Sequence, residues 1–234
     1  TGTGTDTASA GAGLEAGWQA ILDSYATAEG RFRYEALRAD ESHLALLGDL
    51  VARVAAADPS AWPRDEQLAF YINAYNLLVI RTVLDRWPIE SVMRSPGFFD
   101  GVRYDVAGTE RTLDELENEV IRGETFGEPR VHFAINCASV GCPPLGQHAY
   151  TAANLEAELA RRAEAFVRST SRIERARRRV RVSRIFEWFA ADFERTGGVR
   201  AFLAARLDDE DAAFVRETST RIAYSEYDWA LNAP

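Results

Sequence analysis

The chain is organised around residues 132–145, which read His132-Phe-Ala-Ile-Asn-Cys-Ala-Ser-Val-Gly-Cys-Pro-Pro-Leu145. This stretch holds both cysteines, Cys137 and Cys142, and one of the three histidines of the protein. Apolar residues lead into it, and small residues that favour turns follow. Thiols and an imidazole this close in sequence indicate a nucleophile, a disulfide or a metal site.

Cys137 is the candidate nucleophile, because a thiolate attacks carbonyl groups and a nearby imidazole both lowers the thiol pKa and accepts its proton. The apolar run 131–135 predicts a buried strand, and a continuous strand would hold His132 on the face opposite Cys137. The two side chains therefore meet only if the backbone turns near Asn136. If it does not turn, His148 is the better base.

Cys142 precedes two prolines, which stiffen the backbone and would brace the loop that presents Cys137. The two thiols are also close enough in sequence to pair as a disulfide in an oxidising compartment. Two small buried thiols in a tight loop are the purely structural alternative. A zinc site made of His132, Cys137 and Cys142 is a further alternative, although it lacks the usual short Cys pair and a fourth ligand. We predict no metal and no cofactor.

Glu117 lies within the apolar stripe of a helix predicted from Thr112 to Arg122. An unpaired buried carboxylate is very costly, so this side chain must have a partner. Two partners fit the sequence. Glu117 either orients an imidazole as the third member of a catalytic triad or forms a salt bridge to an arginine such as Arg122 or Arg130.

The longest predicted helix, residues 64–86, carries Asn73 and Asn76 on one side among apolar neighbours. Asparagine is a poor helix former, and a buried amide needs hydrogen-bond partners. The two side chains are therefore predicted to hold loops or a ligand, and structural hydrogen bonding is the more common case.

The remaining pattern predicts an α+β fold, a helix-rich single domain with a small, mainly antiparallel sheet. Residues 14–234 form this domain, and residues 1–13 form a flexible leader. The longer helices are expected at 13–30, 41–57, 64–86, 112–122, 151–169 and 185–195. Strands are expected as a hairpin over 101–111, an exposed pair over 173–182 and a final strand at 221–224.

The composition excludes several classes of function. The net charge of −9 argues against binding to nucleic acid, which would normally require a basic face. The chain has no lysine, so neither Schiff-base chemistry nor the lysine of a phosphate-binding loop is available. No apolar run is long enough to span a bilayer.

The leader at residues 1–13 is rich in small and polar residues, as is typical of a tether after a removed signal sequence or lipid anchor. We therefore expect an exported protein that is periplasmic, lipid-anchored or secreted. An arbitrary start of the chain is the alternative, which leaves a cytoplasmic location open.

Five blocks of the chain together resemble the family called domain of unknown function 547, across roughly residues 40–232. They are Phe70-Tyr-Ile-Asn-Ala-Tyr-Asn76, Leu113-Asp-Glu-Leu-Glu117 with Arg122, Pro129-Arg-Val followed by 132–145, Ile185-Phe-Glu-Trp-Phe-Ala-Ala-Asp-Phe193 and Tyr227-Asp-Trp-Ala-Leu-Asn232. Many members carry Glu-His where this chain has Glu117-Asn118, so Asn118 does not supply an essential imidazole here.

Members of this family resemble papain-like and transglutaminase-like cysteine enzymes, so the resemblance implies a papain-like version of the fold. It also implies a Cys-His-acid site, carried by Cys137, His132 and Glu117. An exported protein is consistent with the bacterial members. A small peptide or thiol peptide, such as the γ-glutamyl peptide glutathione, is the substrate that such a site suggests.

The first functional hypothesis is a cysteine-dependent amide or peptide hydrolase or acyltransferase. Cys137 attacks a carbonyl carbon, His132 moves the proton and Glu117 orients the ring. The backbone amides of Ala138 and Ser139 stabilise the oxyanion, and arginines near the cleft hold an acidic peptide.

Two other hypotheses come from different classes of protein. One is a non-catalytic interaction domain with structural cysteines, in which Trp62, Trp87, Phe98 and Phe99 form an exposed binding face. The other is the zinc site described above, which metal analysis of the purified protein would test.

Overall fold

The computed structural model describes residues 8–234, with side chains described from residue 13 onward. Nine α-helices, five short strands, several short 3-10 helices and a π-helical segment, Leu116–Ile121, make up this part of the chain. The helices are α1 (Ala8–Tyr25), α2 (Tyr34–Arg38), α3 (Glu41–Ala56), α4 (Arg64–Asp85), α5 (Leu113–Glu115), α6 (Leu155–Thr170), α7 (Ile185–Trp188), α8 (Gly198–Ala204) and α9 (Asp209–Arg216). The strands are β1 (Tyr104–Val106), β2 (Thr109–Arg111), β3 (Arg172–Glu174), β4 (Arg179–Val182) and β5 (Arg221–Tyr224).

The predicted class, a helix-rich α+β fold, is confirmed. Strands β1 and β2 form an antiparallel hairpin, and β3 pairs antiparallel with β4. Strand β5 adds to β4 in parallel, so antiparallel pairing predominates without being universal. The described helices include none that is both long and apolar enough to cross a membrane.

Side chains mark several helix starts that the sequence predicts. Asp40 caps α3 by accepting hydrogen bonds from the backbone amides of Ser42 and His43. Thr112 and Glu115 form the predicted capping box at the start of α5. Helix α1 begins at Ala8, before the predicted start at Gly13, and residues 1–7 of the predicted leader lie outside the described residues.

Two groups of buried side chains form the core, and the cysteine stretch runs between them. The larger group is built around helices α1, α3 and α4, and it includes Val131, Ala134 and Ile135. The smaller group belongs to the C-terminal half, where Phe133 packs among the aromatic side chains that follow β4. His132 and Cys137 therefore lie where the two groups meet.

The strand predicted at 131–135 is wrong, because this segment is a 3-10 helix from Pro129 to Phe133. Proline favours the first turn of a helix, and the Glu128 side chain caps that turn by accepting from the amide of Arg130. A short apolar run does not distinguish a buried strand from a buried helical turn. The strand geometry that would separate His132 from Cys137 therefore does not apply.

Candidate active site

A cavity of about 230 Å³ opens beside the thiol of Cys137. His132, Glu117 and Cys142 also line it, and most of its wall is apolar or aromatic. The apolar and aromatic side chains are those of Tyr75, Met93, Phe99, Ile135, Pro143, Ile185, Trp188, Phe189, Tyr227 and Trp229.

Three polar groups surround the Cys137 sulfur. Its Sγ lies 2.8 Å from Oγ of Ser139, 3.3 Å from the hydroxyl of Tyr227 and 2.7 Å from Sγ of Cys142. Both cysteines are free thiols, and the backbone amide of Cys137 donates to the Cys142 sulfur at 3.0 Å. The nucleophile predicted from the sequence therefore lies in a polar pocket within an apolar wall.

These contacts make the two thiols unequal. Burial raises the pKa of Cys137, but hydrogen bonds from Cys142, Ser139 and Tyr227 lower it by a larger amount. The resulting pKa is about 7, below the ordinary value of a thiol. Burial and the neighbouring Cys137 raise the pKa of Cys142 well above its ordinary value. Cys137 is therefore the thiol that ionises near neutral pH.

The backbone turns sharply after Cys137. Ala138 has a φ of 61°, in the left-handed region that residues with a Cβ rarely adopt. Such conformations persist only where the surrounding structure fixes them. Here the Ala138 amide donates to Oδ1 of Asn136 at 2.9 Å, and the Ala138 carbonyl accepts from the amide of Asn232 at 3.0 Å.

Asn76 and Asn136 hold the approach to this turn. The Asn76 side chain donates to the carbonyl of Ala134 at 3.0 Å and accepts from the amide of Asn136 at 2.8 Å. The Asn136 side chain then donates to the Pro143 carbonyl at 2.8 Å. Both ends of the cysteine loop are thus tied to helix α4 through buried amides.

Asn73 holds a different loop. Its side chain donates to the carbonyl of Tyr150 at 2.7 Å and accepts from the amide of the same residue at 2.9 Å. Neither Asn73 nor Asn76 lines the cavity, so both perform the structural role that the sequence favoured.

The C-terminal segment braces the outer side of the loop and delivers Tyr227. The amides of Val140 and Gly141 donate to the carbonyls of Ala230 and Asp228 at 2.9 and 2.8 Å. A Cβ on Gly141 would lie 2.9 Å from the Asp228 amide nitrogen, so only glycine permits this approach. The Tyr227 hydroxyl, 3.2 Å from Oγ of Ser139, is positioned over the thiol by this contact.

The imidazole of His132 is held by a carboxylate, but that carboxylate is Asp192. Nε2 of His132 lies 2.7 Å from Oδ2 of Asp192, and Nε of Arg122 lies 2.7 Å from the same oxygen. The His132 ring also stacks on Phe189, with ring centroids 4.2 Å apart. Asp192 lies in the first turn of a 3-10 helix, Ala190–Thr196, and Phe189 directly precedes this helix. The sequence predicts one continuous helix over 185–195 here.

This pairing fixes the tautomer of His132. Although burial raises the pKa of Asp192, hydrogen bonds from His132 and Arg122 lower it more, to well below its usual range. A carboxylate only accepts, so Nε2 of the imidazole carries the hydrogen and Nδ1 keeps its lone pair. Burial lowers the pKa of His132 more than Asp192 raises it, so the ring is neutral at pH 7 and can accept a proton.

Nδ1 of His132 is open to the cavity. It has no hydrogen-bond partner among the described residues, and it is not fully buried. No hydrogen bond joins His132 to Cys137 in the described part of the chain, although both side chains line the same cavity. The base and the nucleophile thus face a shared space.

Glu117 is paired, as its position in the apolar stripe predicts, but its partner is neither a histidine nor an arginine. The hydroxyl of Tyr75 donates to Oε2 of Glu117 at 2.8 Å. Burial raises the pKa of Glu117, and the Tyr75 bond and the charge of Arg122 offset only part of that rise. The orienting role predicted for Glu117 is therefore wrong, because the imidazole bonds to Asp192.

The predicted oxyanion donors need a similar correction. The amide of Ala138 already donates to Asn136, so it is not free for a reacting oxygen. The amide of Ser139 lies beside the sulfur and contributes to lowering the pKa of Cys137. The side-chain hydroxyls of Ser139 and Tyr227 are the donors nearest the thiol.

His148 lies in another part of the molecule. It lines a separate cavity together with Glu158, Arg161 and Arg162, so it is not the base beside the thiol. In the described residues, no group of three or more His, Cys, Asp or Glu side chains is arranged to hold a metal ion. The zinc hypothesis therefore finds no support in the geometry.

The aromatic face predicted for an interaction domain does not form. Phe98 is 2% exposed, and Trp62, Trp87 and Phe99 are half-buried against the larger core group. The exposed large apolar side chains include Met93 and Trp188, and both lie on the cavity rim.

Sequence reasoning missed the roles of Asp192, Arg122 and Tyr227. All three lie within the blocks that carry the family resemblance, which is a signal that was present. Asp192 contacts His132 and Arg122, and Tyr227 contacts Cys137, so these contacts join residues far apart in the chain and local patterns do not reveal them.

The model of the family described as Protein of unknown function, DUF547, matches residues 59–167, which confirms the resemblance over that range. No curated protein and no solved structure matched the chain. The matched range contains Cys137, His132 and Glu117, whereas Asp192 and Tyr227 lie beyond it.

Proposed function

From the premise that residues 59–167 carry the DUF547 match, whose description assigns no activity, we propose that this protein is a cysteine-dependent acyl-transfer enzyme. It acts as an amide or peptide hydrolase, or as an acyltransferase, with Cys137 as nucleophile and His132 as base. The observation that carries the proposal is a thiol with a lowered pKa that shares one cavity with a neutral imidazole.

In the acylation step, the Cys137 sulfur attacks the carbonyl carbon, and the thiol proton passes to Nδ1 of His132. The bond from that carbon to the leaving nitrogen or oxygen breaks, and His132 returns the proton to the leaving group. In the second step water, or an acceptor amine, attacks the thioester and gives its proton to His132. The carbon–sulfur bond then breaks, and His132 returns the proton to the Cys137 sulfur, which restores the thiol.

Asp192 is a positioning residue in this scheme. It holds Nε2 of His132, which keeps Nδ1 unprotonated and stabilises the imidazolium that forms during each step. Arg122 donates to the same carboxylate and keeps it ionised. The hydroxyl of Tyr227, released from the sulfur as the new bond forms, donates to the oxyanion.

The test uses p-nitrophenyl phenylacetate, an activated ester with an apolar acyl group. The purified protein is mixed with the ester, p-nitrophenol release is followed, and intact-protein mass spectrometry detects the phenylacetyl adduct. The adduct is expected on Cys137, and Cys137→Ser is expected to form none.

His132→Gln and His148→Ala provide a matched pair. Glutamine can still donate to Asp192 but cannot act as a base, so His132→Gln is expected to slow turnover by about 10²–10⁴-fold. His148→Ala alters a histidine in a separate cavity and is expected to leave turnover unchanged. Equal losses in both variants, or an adduct on another residue, would overturn the proposal.

A further inference from the structure

The charges that line the cavity point to a class of substrate. Every basic residue of this chain is an arginine or a histidine, and no arginine is among the described residues that line the cavity. Arg122, which holds the partner of His132, is paired with Asp192. The acidic side chains on the wall are those of Asp114 and Glu117, and His132 is neutral.

One carboxylate oxygen of Glu117 is available to a ligand. Oε2 accepts a hydrogen bond from Tyr75. Oε1 has no partner among the described residues, and it is not fully buried. Because Glu117 lines the cavity, Oε1 offers an acceptor to whatever enters. An N–H group or an ammonium group satisfies this oxygen, whereas a carboxylate is repelled by it.

Another part of the wall is aromatic. Trp188, Tyr227 and Trp229 form a cluster in which Tyr227 lies 4.4 Å from Trp229 and 4.9 Å from Trp188 between ring centroids. Trp188 is 43% exposed at the rim. Rings that remain open beside a nucleophile favour an apolar or aromatic group, or a cation over a ring face.

We infer that the acyl donor carries a compact apolar or aromatic group against Trp188 and Trp229, presents an N–H or ammonium group to Glu117, and bears no negative charge. Glu117 is the residue that determines this charge selectivity. The inference rests on the proposed function, because it assigns the substrate class of the same site. It disfavours glutathione, whose two carboxylates would meet no arginine on the cavity wall.

The experiment compares four alkylating reagents that share one reactive iodoacetyl group. They are neutral iodoacetamide, apolar N-benzyl iodoacetamide, anionic iodoacetate and a cationic trimethylammonioethyl iodoacetamide. Each rate at Cys137 is divided by the rate of the same reagent with N-acetylcysteine methylamide, so that intrinsic reactivity cancels. No arginine lies between Arg130 and Arg161, so one tryptic peptide holds both cysteines and fragment ions must assign the modified one.

The expected order places the benzyl and cationic reagents ahead of iodoacetamide and iodoacetate last, with about a tenfold gap between iodoacetamide and iodoacetate. Glu117→Gln is expected to narrow that gap and to remove the advantage of the cation. Trp188→Ala, at an exposed position, is expected to remove the advantage of the benzyl group.

Two failures can be told apart. If Cys137 reacts with all four reagents and iodoacetate is as fast as iodoacetamide, the substrate inference is overturned while the nucleophile stands. If no reagent modifies Cys137 faster than it modifies the small thiol, the proposed function is overturned, and the inference falls with it.

Discussion

Nε2 of His132 lies 2.7 Å from Oδ2 of Asp192, a residue 60 positions later in the chain. This contact directs the other ring nitrogen toward the cavity that Cys137 shares. The carboxylate partner of the imidazole is therefore Asp192, which follows the aromatic helix α7, whereas Glu117 pairs with Tyr75.

Asp192 can be tested by a pair of substitutions. Asp192→Ala removes the acceptor of Nε2, so p-nitrophenyl phenylacetate turnover is expected to fall by about 10²–10⁴-fold. Asp192→Asn keeps an oxygen that accepts from Nε2 but loses the charge that stabilises the imidazolium, so it is expected to recover only part of that loss. Iodoacetamide labelling of Cys137 is expected to change little in either variant, since the thiol environment is separate. Equal turnover in the two variants would contradict a positioning role.

Gly141→Ala is expected to destabilise the protein by about 1–3 kcal/mol, because the new Cβ would meet the backbone of Asp228. The displaced C-terminal segment would also carry Tyr227 away from the thiol and slow the labelling of Cys137. Urea unfolding and labelling rates measure the two effects. Gly48→Ala is the control, because that position in α3 is open and alanine there should stabilise the helix by about 0.5–1 kcal/mol. Similar effects at both glycines would refute the packing argument.

Asn76→Ala is expected to lower the free energy of unfolding by about 1–3 kcal/mol for each backbone group it leaves unpaired. Those groups are the carbonyl of Ala134 and the amide of Asn136. Urea unfolding gives the stability, and labelling of Cys137 reports whether the loop stays in place. A loss of less than about 0.5 kcal/mol would show that Asn76 does not anchor the cysteine loop.

Mild oxidation is expected to join Cys137 and Cys142, whose sulfurs lie 2.7 Å apart. With 2-hydroxyethyl disulfide, which is neutral, as oxidant, the two thiols would lose two hydrogens and the reagent would leave as two molecules of 2-mercaptoethanol. The oxidised protein should resist iodoacetamide, and dithiothreitol should restore labelling. Cys142→Ser cannot form this bond and should instead keep a mixed disulfide between Cys137 and 2-mercaptoethanol. A Cys142→Ser variant that resists iodoacetamide but carries no 2-mercaptoethanol adduct would contradict the mechanism.

Local signals predicted much of the fold. The capping box at Thr112, the hairpin around β1 and β2, and the apolar stripe of α3 depend on neighbours in sequence. The segment 131–135 was misassigned because its apolar run fits a strand and a helical turn equally well. The positive φ of Ala138 could not be anticipated, because the contacts that impose it come from Asn136 and Asn232.

The sequence predicts only part of the chemistry of the site. The Cys137 and His132 motif and the need for a partner at Glu117 follow from residue types and spacing. The identity of each hydrogen-bond partner does not follow from the sequence. Tyr75 reaches Glu117, and Asp192 reaches His132, only because distant elements pack together. Burial of an acid predicts that it is paired, but the choice among partners belongs to the tertiary structure.

The central claim is that Ser139, Tyr227 and Cys142 make Cys137 an acidic nucleophile, and the pH dependence of its alkylation tests this most directly. Iodoacetamide labelling of Cys137 is measured across pH in the wild type and in Tyr227→Phe. Because the thiolate reacts and its pKa is lowered, the wild-type rate should rise through a midpoint of about 7. Loss of the Tyr227 donor should move the midpoint upward. A wild-type midpoint at the ordinary thiol value of about 8.5, unchanged in Tyr227→Phe, would contradict the account.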